Sequence, residues 1–193
     1  VYFDVVNNPE DPSAGTRKVP FTKHLYIERA DFSDNPPPKF QRLKPDSEVR
    51  FMSAYVVKCN EVIYGKDGRP AKLLCTVDPE TAGCNPPDGR KIKGTIHWVS
   101  AAHAKTAEVR LYDRLFTIED TGAIPEDKSF KDYLNPESLT VMPNAKLEEA
   151  LDGAKPGDKF QFVRMGYFCA DTRNDNVFNR IVTLKDSFAK NLK

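Results

Sequence analysis

The segment Tyr64-Gly-Lys-Asp-Gly-Arg-Pro-Ala-Lys-Leu73 decides the fold class. Asp67-Gly68 supplies the positive-φ residues that a tight hairpin turn needs, and strand-like runs at 61–64 and 72–77 flank it. Such a turn commits its surroundings to antiparallel pairing. The same punctuation continues outward in both directions, because fifteen prolines and ten glycines interrupt short apolar runs. Further strands are expected at 25–27, 49–51 running on to 57, 94–99, 107–112, 139–142, 160–164, 167–170 and 178–184. Pro87-Asp88-Gly89 reads as a second turn. Helical periodicity is scarce: 146–151, closed by Gly153, allows one or two turns, and 188–192 allows another. The expected fold is all-β, two antiparallel β-barrels with short helical segments.

A chain of 193 residues can bury a substantial core as one large or two small domains. The acidic, proline-bearing loop at 118–129 divides it into unequal parts. Residues 1–20 read as a linker, 21–116 as the first barrel and 117–193 as the second, with terminal strands crossing between them. Lys plus Arg number 29 against 28 for Asp plus Glu, so net charge alone gives no reason to expect a nucleic-acid partner. Any such surface must be a local patch. Cys59, Cys75, Cys84 and Cys169 show no paired spacing, which argues against zinc and fits a reducing cytosol. No apolar run approaches a membrane span and no signal peptide opens the sequence. The start, Val1-Tyr-Phe-Asp-Val-Val6, lacks a methionine and enters mid-pattern, as a piece of a longer protein would.

The stretch Thr95-Ile-His-Trp-Val-Ser-Ala-Ala-His-Ala104 carries two of the three histidines, the single tryptophan and a serine. A nucleophile and base would need Ser100 beside His97 or His103. Strand alternation sets Ile96, Trp98 and Ser100 on one face and His97 and Val99 on the other. No nucleophile elbow or glycine-rich oxyanion loop lies nearby. Packing is the simpler role for these imidazoles, and no catalytic or metal-binding residue is expected.

The cations are more informative. Lys39-Phe-Gln-Arg-Leu-Lys44, Arg50 on a strand pattern, the run Gly89-Arg-Lys-Ile-Lys-Gly94, and Gln161 with Arg164 beside Phe160 and Phe162 set forked or amide donors among rings. Readers of single-stranded RNA use such groups. A solvated β face with ordinary lysines, or a protein-interaction module, fits the same residues. Nucleotide-loop and zinc-helix motifs are absent, so the chain reads as a binder and not as a self-sufficient catalyst.

At "KGTIHWVSAAHAKTAEVRLYDRLF" (93–116) the sequence resembles the C-terminal anticodon-binding domain of the class I glutaminyl-tRNA synthetases. The resemblance continues through "RKVPFTKHLYIERADF" (17–32), "DGRKIKGTIHWVSAAHA" (88–104), "LNPESL" (134–139), "FQFVRMGYFCADTR" (160–173) and "VFNRIVTLKDSFAK" (177–190). The related glutamyl-tRNA synthetases are less similar at "VSAAHA". The resemblance implies two β-barrels gripping the anticodon loop of tRNA(Gln), in a cytoplasmic, monomeric enzyme that uses ATP with Mg. No cofactor is expected in this part, which would be inactive alone, because the catalytic domain would precede residue 1. Carried over by position, Lys39, Gln41 and Arg42 face the anticodon, with Arg42 the firmest match and the reader of its third base. Arg50 serves the first base, with Met52 standing where the family pattern has a second arginine. Gln161 and Arg164 serve the middle base, for which a further family arginine lies before Val1.

Overall fold

The computed structural model describes residues 1–184, and the helical turn expected at 188–192 lies outside them. Strands dominate, and helix among the described residues is confined to short 3-10 turns. Two compact units form, one from Val1–Ala104 with Glu148–Ala150, the other from Lys105–Leu147 and from Leu151 onward.

In the first unit the strands are β1 (Tyr2–Val6), β2 (Thr16–Pro20), β3 (Leu25–Ile27), β4 (Glu48–Phe51), β5 (Val56–Tyr64), β6 (Pro70–Asp78), β7 (Thr95–Ile96) and β8 (Trp98–Ser100). β1 and β2 pair antiparallel, β3 pairs with β8, and the order β6-β5-β4-β7 makes a four-stranded sheet. The hairpin read at Asp67-Gly68 joins β5 to β6, with Gly68 at φ 72°. Alternation along β5 buries Val57 and Cys59 while Lys58 and Asn60 face water. The core gathers Val19, Phe21, Leu43, Val49, Phe51 and Trp98. Phe21 meets the rings of Trp98 and Tyr55 edge-on, at 5.0 and 5.1 Å. The buried indole nitrogen of Trp98 donates to the Met52 carbonyl at 3.0 Å.

Two expectations change here. Residues 1–20 are not a linker but a paired hairpin within the first unit, with Phe3 and Val5 packed on its core. Arg17 of that hairpin clasps Glu148 with two guanidinium nitrogens. The run at 94–99 is also not one strand. It breaks at His97, β7 pairing parallel to β4 and β8 antiparallel to β3. Ser100 is buried with its hydroxyl 2.8 Å from that of Thr22, and His103 lies 3.4 Å from Glu149. Neither contact joins the serine to an imidazole.

The second unit holds β9 (Lys105–Tyr112), β10 (Leu139–Leu147), β11 (Lys159–Phe162), β12 (Gly166–Ala170) and β13 (Val177–Val182). Their order is β10-β9-β13-β12-β11, antiparallel except for the parallel β9–β13 pair. Ala107, Val109, Leu151, Phe168, Ala170 and Phe178 make its core, and Phe162 stacks on Phe168 at 4.2 Å. The division between units falls after Ala104 and not at 116, because the loop through 118–129 only bridges the paired strands β9 and β10. Proline and acid mark a surface loop there without marking a domain edge. The helix expected at 146–151 is instead the end of β10 followed by the 3-10 turn Glu149–Gly153. Hydrogen bonding leaves each sheet open, so its strand order alone does not close a barrel.

Candidate nucleic-acid interface

Buried Leu43 anchors the segment that carries three of the expected site residues. Its amide donates to the Asp31 carbonyl at 3.0 Å, and its carbonyl accepts from Ser33 at 3.1 Å. Arg42 beside it is drawn inward: Nη1 donates to the Ala30 carbonyl at 3.0 Å and Nε lies 3.4 Å from the carboxylate of buried Asp31. A guanidinium carries its N–H donors in a rigid fork, so these contacts fix the direction in which Arg42 points. On the other side of Leu43's neighbours, Gly94 presses against Gln41. A Cβ at Gly94, whose φ is 91°, would sit 1.6 Å from the Gln41 carbonyl oxygen. Only glycine permits that approach.

The result is a cavity of about 460 Å³ lined by Gln41, Arg42, Lys44, Lys58, Lys91 and Lys93, with Phe40 and Ile92 as apolar wall and Asp46 and Glu48 as its carboxylates. Gln41 and Arg42 therefore meet in one place. Lys39 and Arg50 lie outside its lining. Lys39 is exposed at the third position of the turn closed by Phe40 N–H to Pro37 C=O, with φ 65°. Arg50 projects from β4 and donates to Asn85 Oδ1 at 3.3 Å. Met52 is half-buried at the turn after β4.

The cations of the 89–94 run separate into two jobs. Arg90 is held by Asp78, by Glu48 at 3.0 Å and by Asp88 at 2.6 Å. These three carboxylates raise its pKa above the ordinary guanidinium range, Asp78 contributing most. It ties the chain after β6 back to β4. Lys91 and Lys93 line the cavity instead. These lysines and Lys44 stand in the cationic runs of the sequence, but no local signal sets them apart as site residues, and Lys58 lies in none of those runs. Strand alternation on β5 does mark Lys58 as outward-facing, yet nothing in the sequence tells that it lines the same cavity as Lys91.

In the second unit, Gln161 is exposed on β11 while Phe160 and Phe162 turn to the core. Across the hairpin its register partner is Tyr167, itself 45% exposed, so both point to the same outer face. Arg164 occupies the third position of the turn closed by Met165 N–H to Phe162 C=O at 2.8 Å, with φ 70°. The chain bends where two side chains three residues apart require a bend to serve one ligand. Gly166 completes the hairpin, since a Cβ there would lie 2.4 Å from the Val182 carbonyl oxygen.

Among the described residues, no group of three or more His, Cys, Asp or Glu side chains is arranged to hold a metal ion. No helix among them is long and apolar enough to cross a membrane.

Two family models match, both described as the anticodon-binding domain of class I tRNA synthetases (E and Q), one over residues 1–78 and the other over 95–171. The chain belongs to this family. A glutamine–tRNA ligase of Rhodopirellula baltica is 48% identical over 97% of the chain and 32% of its own length. Similar ligases from Bradyrhizobium diazoefficiens and Clostridium kluyveri are each 47% identical, over 97% and 96% of the chain and 34% of their own lengths. The chain thus spans about a third of the curated relatives it matches. Gln41, Arg42, Gln161 and Arg164 fall inside the matched spans, whereas Lys91, Ile92 and Lys93 of the cavity wall lie between them.

Proposed function

We propose that this chain reads the anticodon of tRNA(Gln) for a glutamine–tRNA ligase. The observation that carries the proposal is the union of Gln41 and Arg42 in a cation-lined cavity within an anticodon-binding family match. Guanidinium forks and amides recognise the edges of unstacked bases, and a buried carboxylate that orients the fork favours a single reading direction. In this reading Lys39, Gln41 and Arg42 face the anticodon with Arg42 at its third base, Arg50 serves the first, and Gln161 with Arg164 the middle one. Aminoacylation with ATP and Mg²⁺ is the work of a catalytic domain in the same protein, and the residues of this chain contribute RNA recognition only. The protein acts as a cytoplasmic monomer; its four free cysteines suit a reducing compartment. Each unit forms a barrel, a reading favoured by the parallel β4–β7 and β9–β13 pairs, which join strands far apart in sequence.

The test is binding of labelled tRNA(Gln) and tRNA(Glu) by this chain across a salt series. Tighter binding of tRNA(Gln) that weakens steeply with salt is the expected result. Equal affinity for the two RNAs, or none for either, overturns the proposal.

A further inference from the structure

Lys44, Lys58, Lys91 and Lys93 converge on the cavity beside Gln41 and Arg42. Of the two carboxylates lining it, Glu48 is already engaged by Arg90 at 3.0 Å. None of the four lysines forms an ion pair among the described residues. Like charges crowded into a concave site repel one another and focus a positive potential, an arrangement suited to an anionic ligand. The walls that carry them are fixed. Arg90 fastens the residue before Lys91 to three carboxylates, and Gly94 packs directly on the Gln41 backbone after Lys93. Lys58 rises near the start of β5, opposite Glu48 in the register. The cavity, about 460 Å³, falls in the size range of sites for small organic groups.

We infer that Lys58, Lys91 and Lys93 form a phosphodiester seat that holds the RNA backbone on both sides of the single nucleotide read by Gln41 and Arg42. The inference rests on the anticodon-binding reading and deepens it by dividing the cavity into two ends. Lysine ammonium groups bind phosphate as point charges without reading sequence, whereas the amide and the guanidinium read the base. The base end sets which RNA is accepted, and the lysine end sets how tightly any RNA of the right shape is held.

The experiment compares this chain with the triple variant Lys58→Gln, Lys91→Gln, Lys93→Gln, measuring tRNA(Gln) affinity from low to high salt. Each lost contact to a single-stranded phosphate removes roughly 0.7 from the slope of log K against log salt, so two flanking phosphates predict a slope shallower by about 1.4. Affinity should fall by the same factor for tRNA(Gln) and for variants of its third anticodon base, while Arg42→Ala changes their ratio. All three lysines are exposed at the surface, so the fold should survive, and an unchanged circular dichroism spectrum checks it. A matched triple in the second unit, Lys128→Gln, Lys131→Gln, Lys155→Gln, removes equal charge from exposed positions and should leave the slope nearly intact. If wild type binds with steep salt dependence and the groove variant keeps its slope, the phosphate seat is wrong and the anticodon reading stands. An equal loss from the second-unit triple overturns it as well, since net charge then explains the effect. Failure of the wild-type chain to bind any tRNA overturns the functional reading and the seat together.

Discussion

Replacing Arg164 by glycine and, separately, by alanine distinguishes a base-reading arginine from a scaffold residue. Arg164 sits at φ 70° in the β11–β12 turn, a left-handed conformation that costs an L side chain roughly 1–2 kcal/mol and glycine nothing. Glycine returns about 0.5–1 kcal/mol of that through its extra freedom in the unfolded chain. Half-buried Arg164 also makes contacts that either substitution removes. Arg164→Gly should therefore unfold within about 1 kcal/mol of wild type, while Arg164→Ala keeps the strain, loses the contacts and is the less stable of the two. Loss of base-edge hydrogen bonding predicts something different for binding. Both variants should lose about 1–3 kcal/mol of discrimination at the middle anticodon base, roughly 5- to 150-fold in relative affinity. Urea unfolding gives the first comparison, and Kd values for tRNA(Gln) and its middle-base variants give the second. Recovery of binding by glycine but not by alanine would mean that RNA affinity follows the integrity of the turn. An equal loss on every middle-base variant would make Arg164 a phosphate anchor. Either result refutes the assignment.

Trp98→Phe should lower stability by about 1–3 kcal/mol, seen as a lower urea midpoint at unchanged m, because it removes the hydrogen bond to the half-buried Met52 carbonyl and leaves a void beside Phe21. Asp171 accepts from Asn179 Nδ2 at 2.7 Å and from the amides of Arg173 and Asn174, which hold its carboxyl well below the usual carboxylate range. Its stabilisation is present above the unfolded pKa of about 3.9 and disappears as pH falls toward the lower folded value. Asp171→Asn should thus be less stable at neutral pH, with the gap closing in acid; a gap constant with pH counts against the hydrogen-bonded carboxylate. Cys75 and Cys84 are both exposed, but the Cys75 thiol is pushed up to about 12 by desolvation and by the facing Cys59, so iodoacetamide at pH 8 should alkylate Cys84 well before it. Mass spectrometry of the partly labelled chain checks the order.

The sequence showed strands best where alternation and turn chemistry agree. At the start of β5 the buried and exposed positions follow from local pattern, as does the Asp67-Gly68 turn that pairs it with β6, whereas β6 itself leaves Leu74 and Val77 exposed. β1 and β2 escaped because Val1-Tyr-Phe-Asp-Val-Val6 is apolar on both faces and Thr16-Arg-Lys-Val-Pro20 carries two charges and ends in proline, so neither has a clean period of two. Their pairing becomes visible only when Phe3 and Val5 meet the core. His97 hides a change of partner: apolar residues continue through it, but the strand leaves β4 and joins β3. The strand expected at 160–164 ends at Phe162, with Arg164 in the turn that follows, and the convergence of Lys58 with Lys91 and Lys93 depends on chain segments more than thirty residues apart. Pairing with Asp31 was equally invisible, since nothing local marks that acid as buried beneath Arg42.

β13 lies at the centre of the second sheet, between β9 and β12, although it is the last strand to be synthesised among the described residues. Until it emerges from the ribosome, β9–β10 and β11–β12 are separate hairpins, each with an unpaired inner edge and little apolar cover. At about 5–20 residues per second, the roughly seventy residues separating β9 from β13 take several seconds to appear. The nascent second unit therefore passes through a stage in which exposed strand edges invite pairing with neighbouring chains. A stop codon placed just before Val177 would make that stage permanent, removing the strand that separates the two hairpins rather than trimming an edge. Such a product should be recovered with chaperones or in aggregates, while the first unit, whose strands are all translated by Ser100, can already be folded.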